Sequence, residues 1–175
     1  MKLNKVFTAL LLCFTLLFSM TAMVACGGGD GESTETRDPN KAPATLDSIY
    51  AAVSAVVPGA DKLTDAAEST LTGFFGGAKP EDFASYKIAV QSMSTSIDEI
   101  GIFEAKTAED VKKIEAMIDD FFALYNDLWN SDYLETEYPK LKNAERVTSG
   151  NFVMYVILDD DTRAAAITAF ENETK

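Results

Sequence analysis

Residues 144–158 read AERVTSGNFVMYVIL, and this stretch decides the fold class. Two extended runs are separated by Ser149-Gly150-Asn151, a combination of residues that is typical of a tight turn. The second run, residues 152–158, is apolar throughout, as expected for a strand that is covered on both faces or lies in the centre of a sheet. The stretch therefore predicts a strand pair whose second member is deeply buried.

A second strand pair is predicted upstream of it. Tyr86, Ile88 and Val90 alternate with polar or small residues, which is the two-residue period of a half-buried strand. Another apolar run, residues 100–103, follows a polar segment. We expect these two runs to form a hairpin.

Helical periodicity covers most of the remaining chain. Residues 107–129 form the longest predicted helix, with Thr107 and Asp110 placed as a variant capping box and an apolar residue every three or four positions. The predicted inward residues of this helix are Val111, Ile114, Ile118, Phe121, Tyr125 and Leu128.

Three further helices are predicted around it. One covers residues 46–57 and is stopped by Pro58-Gly59, and a shorter one runs from Thr64 or Asp65 to Gly76-Gly77. The last helix follows the run 159–161. The pattern predicts a single α+β domain over residues 46–175, with a mainly antiparallel sheet of about four strands in two hairpins and helices packed on it.

The N-terminus has the order of a secretory leader. Lys2 and Lys5 precede a long apolar run, and residues 23–26 read Met-Val-Ala-Cys, which resembles a bacterial lipobox. In that pathway the thiol of Cys26 receives a diacylglyceryl group and becomes the first residue of the mature protein. Residues 1–25 are thus predicted to be a lipoprotein signal peptide, and the protein to be anchored in the cell membrane on its extracytoplasmic face.

Two alternatives for the leader stay open, and both keep the exported topology. Residues 6–25 are long enough for an uncleaved transmembrane helix, and an ordinary signal peptide could precede an incidental cysteine. Residues 26–45 are rich in Gly, Ser, Thr, Pro and charge. They are predicted to be a disordered tether that follows the lipidated cysteine.

Composition excludes several classes of function. The formal net charge of −13 at pH 7 disfavours binding to nucleic acid, so none is expected as a partner. The chain has no histidine and two cysteines, Cys13 and Cys26, of which the first lies in the leader. Histidine-dependent triads and structural zinc sites are therefore excluded, and no cofactor is predicted. Carboxylate acid/base pairs and oxygen-ligated cations remain chemically open.

Two long stretches carry a resemblance to a known family. Residues 74–113 include DEIGIFEAK at 98–106, and residues 138–161 include GNFVMYVI at 150–157 after a short polar turn. Together they resemble the bacterial lipoprotein family known only as domain of unknown function 4358, over about residues 71–170. The resemblance implies a small secreted lipoprotein, chiefly of Gram-positive anaerobes, and it implies no activity or active site.

Two groups of acidic residues are candidate sites. Asp159-Asp160-Asp161 does not fit a calcium loop, because Arg163 and Phe170 occupy ligand positions and Ala164 occupies the position of the required glycine. A helix cap is therefore favoured, and no metal site is predicted. Asp98, Glu99 and Glu104 could cluster as a glycosidase-like pair. Solvated charges at a loop and a sheet edge are the favoured interpretation.

Aromatic residues give the other candidate site. Phe122, Tyr125 and Trp129 share one row of the long helix and could form a contact surface if they are exposed. Packing in the core is the alternative for aromatic residues at this spacing.

The sequence thus leads to three functional hypotheses. The first is a lipid-anchored, non-enzymatic module that binds an envelope protein or a small ligand. The alternative is a small hydrolase that uses carboxylates, and the third is a passive spacer of the cell surface.

Overall fold

The computed structural model describes residues 42–91, 96–130 and 134–175. Within these ranges the chain forms five α-helices and one five-stranded sheet. In chain order the elements are α1 (Leu46–Val56), β1 (Leu63–Asp65), α2 (Glu68–Phe74), β2 (Ser85–Gln91), β3 (Glu99–Glu104), α3 (Ala108–Leu128), α4 (Tyr138–Lys142), β4 (Glu145–Ser149), β5 (Phe152–Ile157) and α5 (Asp160–Thr174). The predicted α+β class is confirmed.

The sheet has the strand order β1-β2-β3-β5-β4, and every neighbouring pair is antiparallel. β2 pairs with β3 and β4 pairs with β5, so both predicted hairpins are confirmed. The two hairpins meet where β3 lies beside β5, and in this register Gly101 is opposite Tyr155. This junction is the centre of the sheet.

Helices cover the sheet on both faces, because each strand of its centre is apolar on both sides. On one face lie α1 and α5, whose buried residues are Ile49, Val53, Ala166 and Phe170. On the other face lie α3, α2 and α4, which bury Ile114, Ile118, Phe121, Leu71 and Leu141. All six residues of β5 are buried, as its apolar sequence predicts.

Side-chain caps fix where the helices begin. Thr107 caps α3 by accepting a hydrogen bond from the amide of Asp110 (3.3 Å), and its hydroxyl donates to the Asp110 carboxylate (2.7 Å). Thr45 caps α1 through a reciprocal pair of bonds with Ser48 (3.1 and 3.0 Å). Such caps satisfy amides that have no partner within the helix. The predicted start of the long helix is confirmed.

Two details of the predicted architecture are wrong. The sheet has five strands instead of about four. The sequence did not indicate the additional edge strand β1, because three residues are too few to show a period of two. Thr64 and Asp65 lie in this strand and do not begin a helix. The amide of Ala66 still bonds to the Ile88 carbonyl (2.8 Å), and α2 begins at Glu68.

The end of α3 also differs from the predicted stripe. Leu128, predicted to face inward, is 62% exposed. The neighbouring Trp129 is half-buried and packs against the core, so at the end of the helix the inward position is 129 instead of 128.

The predicted leader and most of the predicted tether lie outside the described residues. Residues 42–45 are described and have no regular secondary structure before α1 begins. In the part of the chain from residue 42 onward that the structure describes, no helix combines the length and apolar character needed to cross a bilayer.

Candidate functional site

A carboxylic acid is buried at the end of the sheet centre. Glu99, the first residue of β3, is 7% exposed, and it is the one charged or polar residue in the buried class among the described residues. The hydroxyl of Tyr155 on β5 donates a hydrogen bond to its carboxyl group. Within those residues, no lysine or arginine forms an ion pair with Glu99. The acid thus sits in the core with a neutral partner.

Gly101 makes this arrangement possible. A Cβ atom at Gly101 would lie 1.9 Å from Cε1 of Tyr155, so the tyrosine ring lies directly over the glycine backbone. The ring is fully buried and contacts Phe75, Phe121 and Phe122 at centroid distances of 5.9, 5.4 and 5.8 Å. Because the ring crosses β3 at the position without a side chain, its hydroxyl reaches the neighbouring inward residue, Glu99. Glycine inside a strand often marks such a close approach.

Burial shifts the acid–base properties of this pair. Desolvation raises the pKa of Glu99 from 4.5 to about 7, and the hydrogen bond from Tyr155 offsets part of that rise. Burial, followed by the charge of Glu99, raises the pKa of Tyr155 well above its ordinary value. Both groups therefore favour their neutral forms in the core, and Glu99 can exchange its proton near neutral pH.

The predicted aromatic row lies at this same end of the sheet. Phe122, Tyr125 and Trp129 are half-buried and pack against the core that contains Tyr155. The pKa of Tyr125 is raised by burial and by the charge of Glu99, which places its hydroxyl within the field of that acid. Trp129 stacks on Tyr138 at 5.6 Å. The row is thus partly covered by the fold, and its role as a contact surface stays a prediction.

Trp129 has one further distinguishing feature. Its indole Nε1 is buried and has no hydrogen-bond partner among the residues that the structure describes. Leaving a buried donor unpaired is unfavourable by about 1–3 kcal/mol. The last turn of α3 is therefore held against the core by apolar contacts and carries an unsatisfied polar group.

The carboxylates proposed as a pair do not converge. Asp98 forms an ion pair with Lys140 (2.7 Å), which also pairs with Glu137 (2.8 Å). Glu104 lies at the other end of β3, about 17 Å along the strand from Glu99, and bonds to Ser85 (2.6 Å). The favoured interpretation of Glu99 as a solvated charge is wrong, because its side chain points into the apolar core beside Tyr155.

A groove opens on the same face at the N-terminal half of α3. A cavity of about 260 Å³ lies between this helix and the segment before β2. We call it the α3 groove. Its lining residues are Ala78, Asp82, Phe83, Asp110, Lys113, Ile114 and Met117. A second opening, lined partly by Phe75, Ala116 and Asp120, shares Lys113 and Met117 with it.

Comparison with protein families gives a match. The family model described as Domain of unknown function (DUF4358) matches residues 61–158. The chain belongs to the DUF4358 family. Neither the curated proteins nor the solved structures contain a significant match to this chain.

The DUF4358 match spans β1 to the end of β5 and includes Glu99, Gly101 and Tyr155. It also includes the whole of the α3 groove. Helices α1 and α5, which cover the other face of the sheet, lie outside the matched residues. The candidate site therefore belongs entirely to the DUF4358 part of the chain.

The acidic run of this DUF4358 protein caps a helix, as the sequence predicts. Asp159 accepts a hydrogen bond from the amide of Thr162 (3.0 Å), and Asp160 pairs with Arg163 (2.8 Å). The amide and hydroxyl of Thr162 hold the pKa of Asp159 below its ordinary value. In the described ranges, no group of three or more acidic, histidine or cysteine side chains is arranged to hold a metal ion.

Sequence reasoning missed Gly101 and Tyr155 of this DUF4358 site. The signals were present: a glycine interrupts the apolar strand EIGIF, and a hydroxyl group occurs in the apolar strand FVMYVI. An isolated glycine in a strand suggests that another group approaches the backbone closely. The group that approaches Gly101 is Tyr155, which lies more than fifty positions away in the chain. It could be identified only from the pairing of β3 with β5.

Proposed function

We propose that this protein is a secreted lipoprotein of the Gram-positive type, anchored at the extracytoplasmic face of the membrane through Cys26. Its DUF4358 domain binds another envelope protein. The anchor is supported by the sequence of the leader, where a positive segment and an apolar run end at Ala25-Cys26. Two fatty chains on one residue are sufficient for stable attachment.

The observation that carries the binding function is the α3 groove. Its floor contains Phe83 and Ile114, which are buried, together with the half-buried Met117, and the cavity is open to solvent. The α3 groove, of about 260 Å³, is open to solvent and adjoins the second opening, of about 390 Å³, whereas small-molecule sites usually bury most of their ligand. It fits one or two large side chains of a partner protein. The groove therefore favours a protein segment as its occupant.

Charge indicates what flanks that segment. Asp82, Asp110 and Asp120 lie along the two openings against a single lysine, Lys113. The whole chain is strongly acidic. We expect the partner to present an apolar side chain beside basic residues, because opposite potentials favour encounter and correct orientation.

A hydrolase is the second candidate function, and one observation supports it. The buried acid Glu99 has a pKa of about 7, which suits a general acid at neutral pH. Carboxylate hydrolases usually require a second acid near the first. Among the described residues, Asp98 is paired with Lys140 and Glu104 is distant, so the second acid of such a mechanism is missing. Binding is the better-supported function.

The anchor is tested by growth with a labelled fatty acid. The native chain and the Cys13→Ala variant should both incorporate the label, because Cys13 lies within the leader. The Cys26→Ala variant should remain unlabelled. Label retained without Cys26 would contradict the proposed anchor.

The binding function is tested with single reactive thiols on intact cells. In a Met117→Cys variant, an impermeant thiol cross-linker should join the groove to one partner band. Thr168→Cys, on the exposed side of α5, is the matched control and should not give that band. Adding Asp120→Lys should reduce the band by reversing a rim charge. Docking in the α3 groove would be contradicted if Met117→Cys and Thr168→Cys gave equal bands, or if Asp120→Lys left the band unchanged. If a small molecule saturates the groove, the occupant is a metabolite instead of a protein.

A further inference from the structure

The buried acid at the end of β3 has no structural need to be an acid. Glu99 is surrounded by an apolar core and bonds to a neutral hydroxyl group. A glutamine of the same shape would fill the same space and bond to Tyr155 without carrying a charge. Replacing buried charges by neutral groups is often neutral or stabilising. The fold therefore does not require an ionisable group at position 99, although Gly101 allows Tyr155 to reach it.

Among the residues that the structure describes, no cation is paired with Glu99 to compensate its charge if it ionises. Tyr155 faces it from β5 and Tyr125 from α3, and both are neutral at pH 7. A charged cluster begins at Asp98, the residue before Glu99: Asp98 pairs with Lys140, which also pairs with Glu137. That cluster holds two carboxylates and one ammonium group, so it adds negative charge at this end of the sheet. An additional carboxylate there is disfavoured by desolvation.

The C-terminal end of α3 is the part of the structure around Glu99 that can move when Glu99 ionises. Leu124 and Leu128 in its last turns are exposed, so few of their contacts would be lost if this turn moved. Trp129 carries an unpaired indole N–H that would gain a hydrogen bond from water. By contrast, β3 and β5 are paired along their full length in the centre of the sheet. Water can therefore reach Glu99 most easily from the side of Tyr125 and Trp129.

We propose that Glu99 and Tyr155 form a proton-operated latch that controls the C-terminal end of α3. Tyr155 donates to the Glu99 carboxyl group in either protonation state, so the latch responds to the charge: with Glu99 protonated and neutral, Tyr125 and Trp129 lie against the core. Loss of the proton leaves a carboxylate that takes up water, which separates Tyr125 and Trp129 from the sheet. The latch goes beyond the binding function, because it does not involve the α3 groove.

The composition of the chain makes this latch easy to observe. It has no histidine, so no ordinary imidazole titrates between pH 5 and 8. It has a single tryptophan, Trp129, which lies in the moving segment. Tryptophan fluorescence of the full chain therefore reports on the end of α3 alone.

The test is a fluorescence titration of the full chain in detergent from pH 5 to pH 9, with acrylamide quenching at each pH. The native chain should show one transition near pH 7, in which emission shifts to the red and quenching increases. Glu99→Gln should abolish the transition and keep Trp129 protected. Glu104→Gln, at the other end of the same strand, is the matched control and should leave the transition unchanged.

A second variant keeps the test decisive if Glu99→Gln does not fold. Tyr155→Phe removes the hydroxyl that lowers the pKa of Glu99, so its transition should move to higher pH. A native chain without any transition, or a transition that persists in Glu99→Gln, would overturn the latch. Loss of helical circular dichroism together with the fluorescence change would also overturn it, since it would show general unfolding.

Discussion

Gly101 and Tyr155 lie opposite each other on β3 and β5, and a methyl group on the glycine would come within 1.9 Å of the tyrosine ring. The ring occupies the space that a side chain at position 101 would need. It directs the Tyr155 hydroxyl towards Glu99. The position of the buried acid pair therefore depends on the absence of one side chain.

Gly101→Ala is expected to destabilise the domain by about 1–3 kcal/mol or more, because the added methyl group must displace a fully buried aromatic ring. Urea unfolding followed by circular dichroism measures the loss. Gly73→Ala is the matched control: it lies within helix α2, and a methyl group added there would meet no other atom within 4 Å. Alanine at position 73 should stabilise the protein by up to about 1 kcal/mol.

A double variant separates the clash from other effects of the substitution. Gly101→Ala combined with Tyr155→Leu should be more stable than the sum of the two single losses predicts, because the leucine leaves room for the methyl group. Strict additivity of the two losses would show that the ring does not limit position 101.

Stability should decrease as pH rises from about 4.5 to about 7 because of Glu99. Its pKa is raised to about 7 in the folded state, so over this range the folded chain holds a proton that the unfolded chain has lost. The stability contributed by that proton is complete below pH 4.5 and is lost as pH rises through 7. At 1.36 kcal/mol per pKa unit, the loss amounts to about 3 kcal/mol.

The difference between the native chain and Glu99→Gln isolates this effect. Groups with lowered pKa values, such as Asp159 and Glu137, contribute with the opposite sign at acidic pH and are the same in both chains. Urea unfolding at several pH values should therefore give a difference that grows up to pH 7 and is constant above it. A constant difference from pH 4 to pH 8 would show that folding does not raise the pKa of Glu99.

Asp159→Ala is expected to reduce stability by about 0.5–2 kcal/mol at pH 7, because α5 loses the side chain that bonds to the Thr162 amide. The pKa of Asp159 is lowered in the folded state, so its contribution is present at neutral pH and is lost as pH falls through that lowered value. Asp161→Ala in the same acidic run is the control, and it should change stability by a few tenths of a kcal/mol. Equal losses from the two variants, measured by thermal unfolding, would argue against a specific cap.

The sequence could predict those elements whose pattern is long enough to be distinctive. The stripe of α3 over residues 108–128 and the apolar run of β5 both have the predicted structure, because burial selects their residues directly. The edge strand β1 escapes prediction, since three residues with one half-buried side chain carry no measurable period. Thr64 and Asp65 are residue types that often cap helices, and so short a strand gives no competing pattern.

The candidate site was harder to predict than the fold. Acids usually lie in solvent, and nothing near Glu99 in the chain indicates that Tyr155 is its partner. The pairing arises only when β3 and β5 become neighbours and Gly101 admits the ring. Likewise, spacing identifies the row formed by Phe122, Tyr125 and Trp129, but its half-burial depends on core residues from other elements that pack against it.

The most direct test of the buried pair is the protonation of Glu99 itself. Carbon-13 labelling of glutamate side chains and a nuclear magnetic resonance titration from pH 3 to pH 9 follow each carboxyl carbon, and the Glu99→Gln variant assigns the signal. We predict that the Glu99 carboxyl titrates near pH 7, well above the ordinary glutamate pKa of 4.5. A Glu99 signal that titrates with the exposed acids would contradict the buried pair and the latch that rests on it.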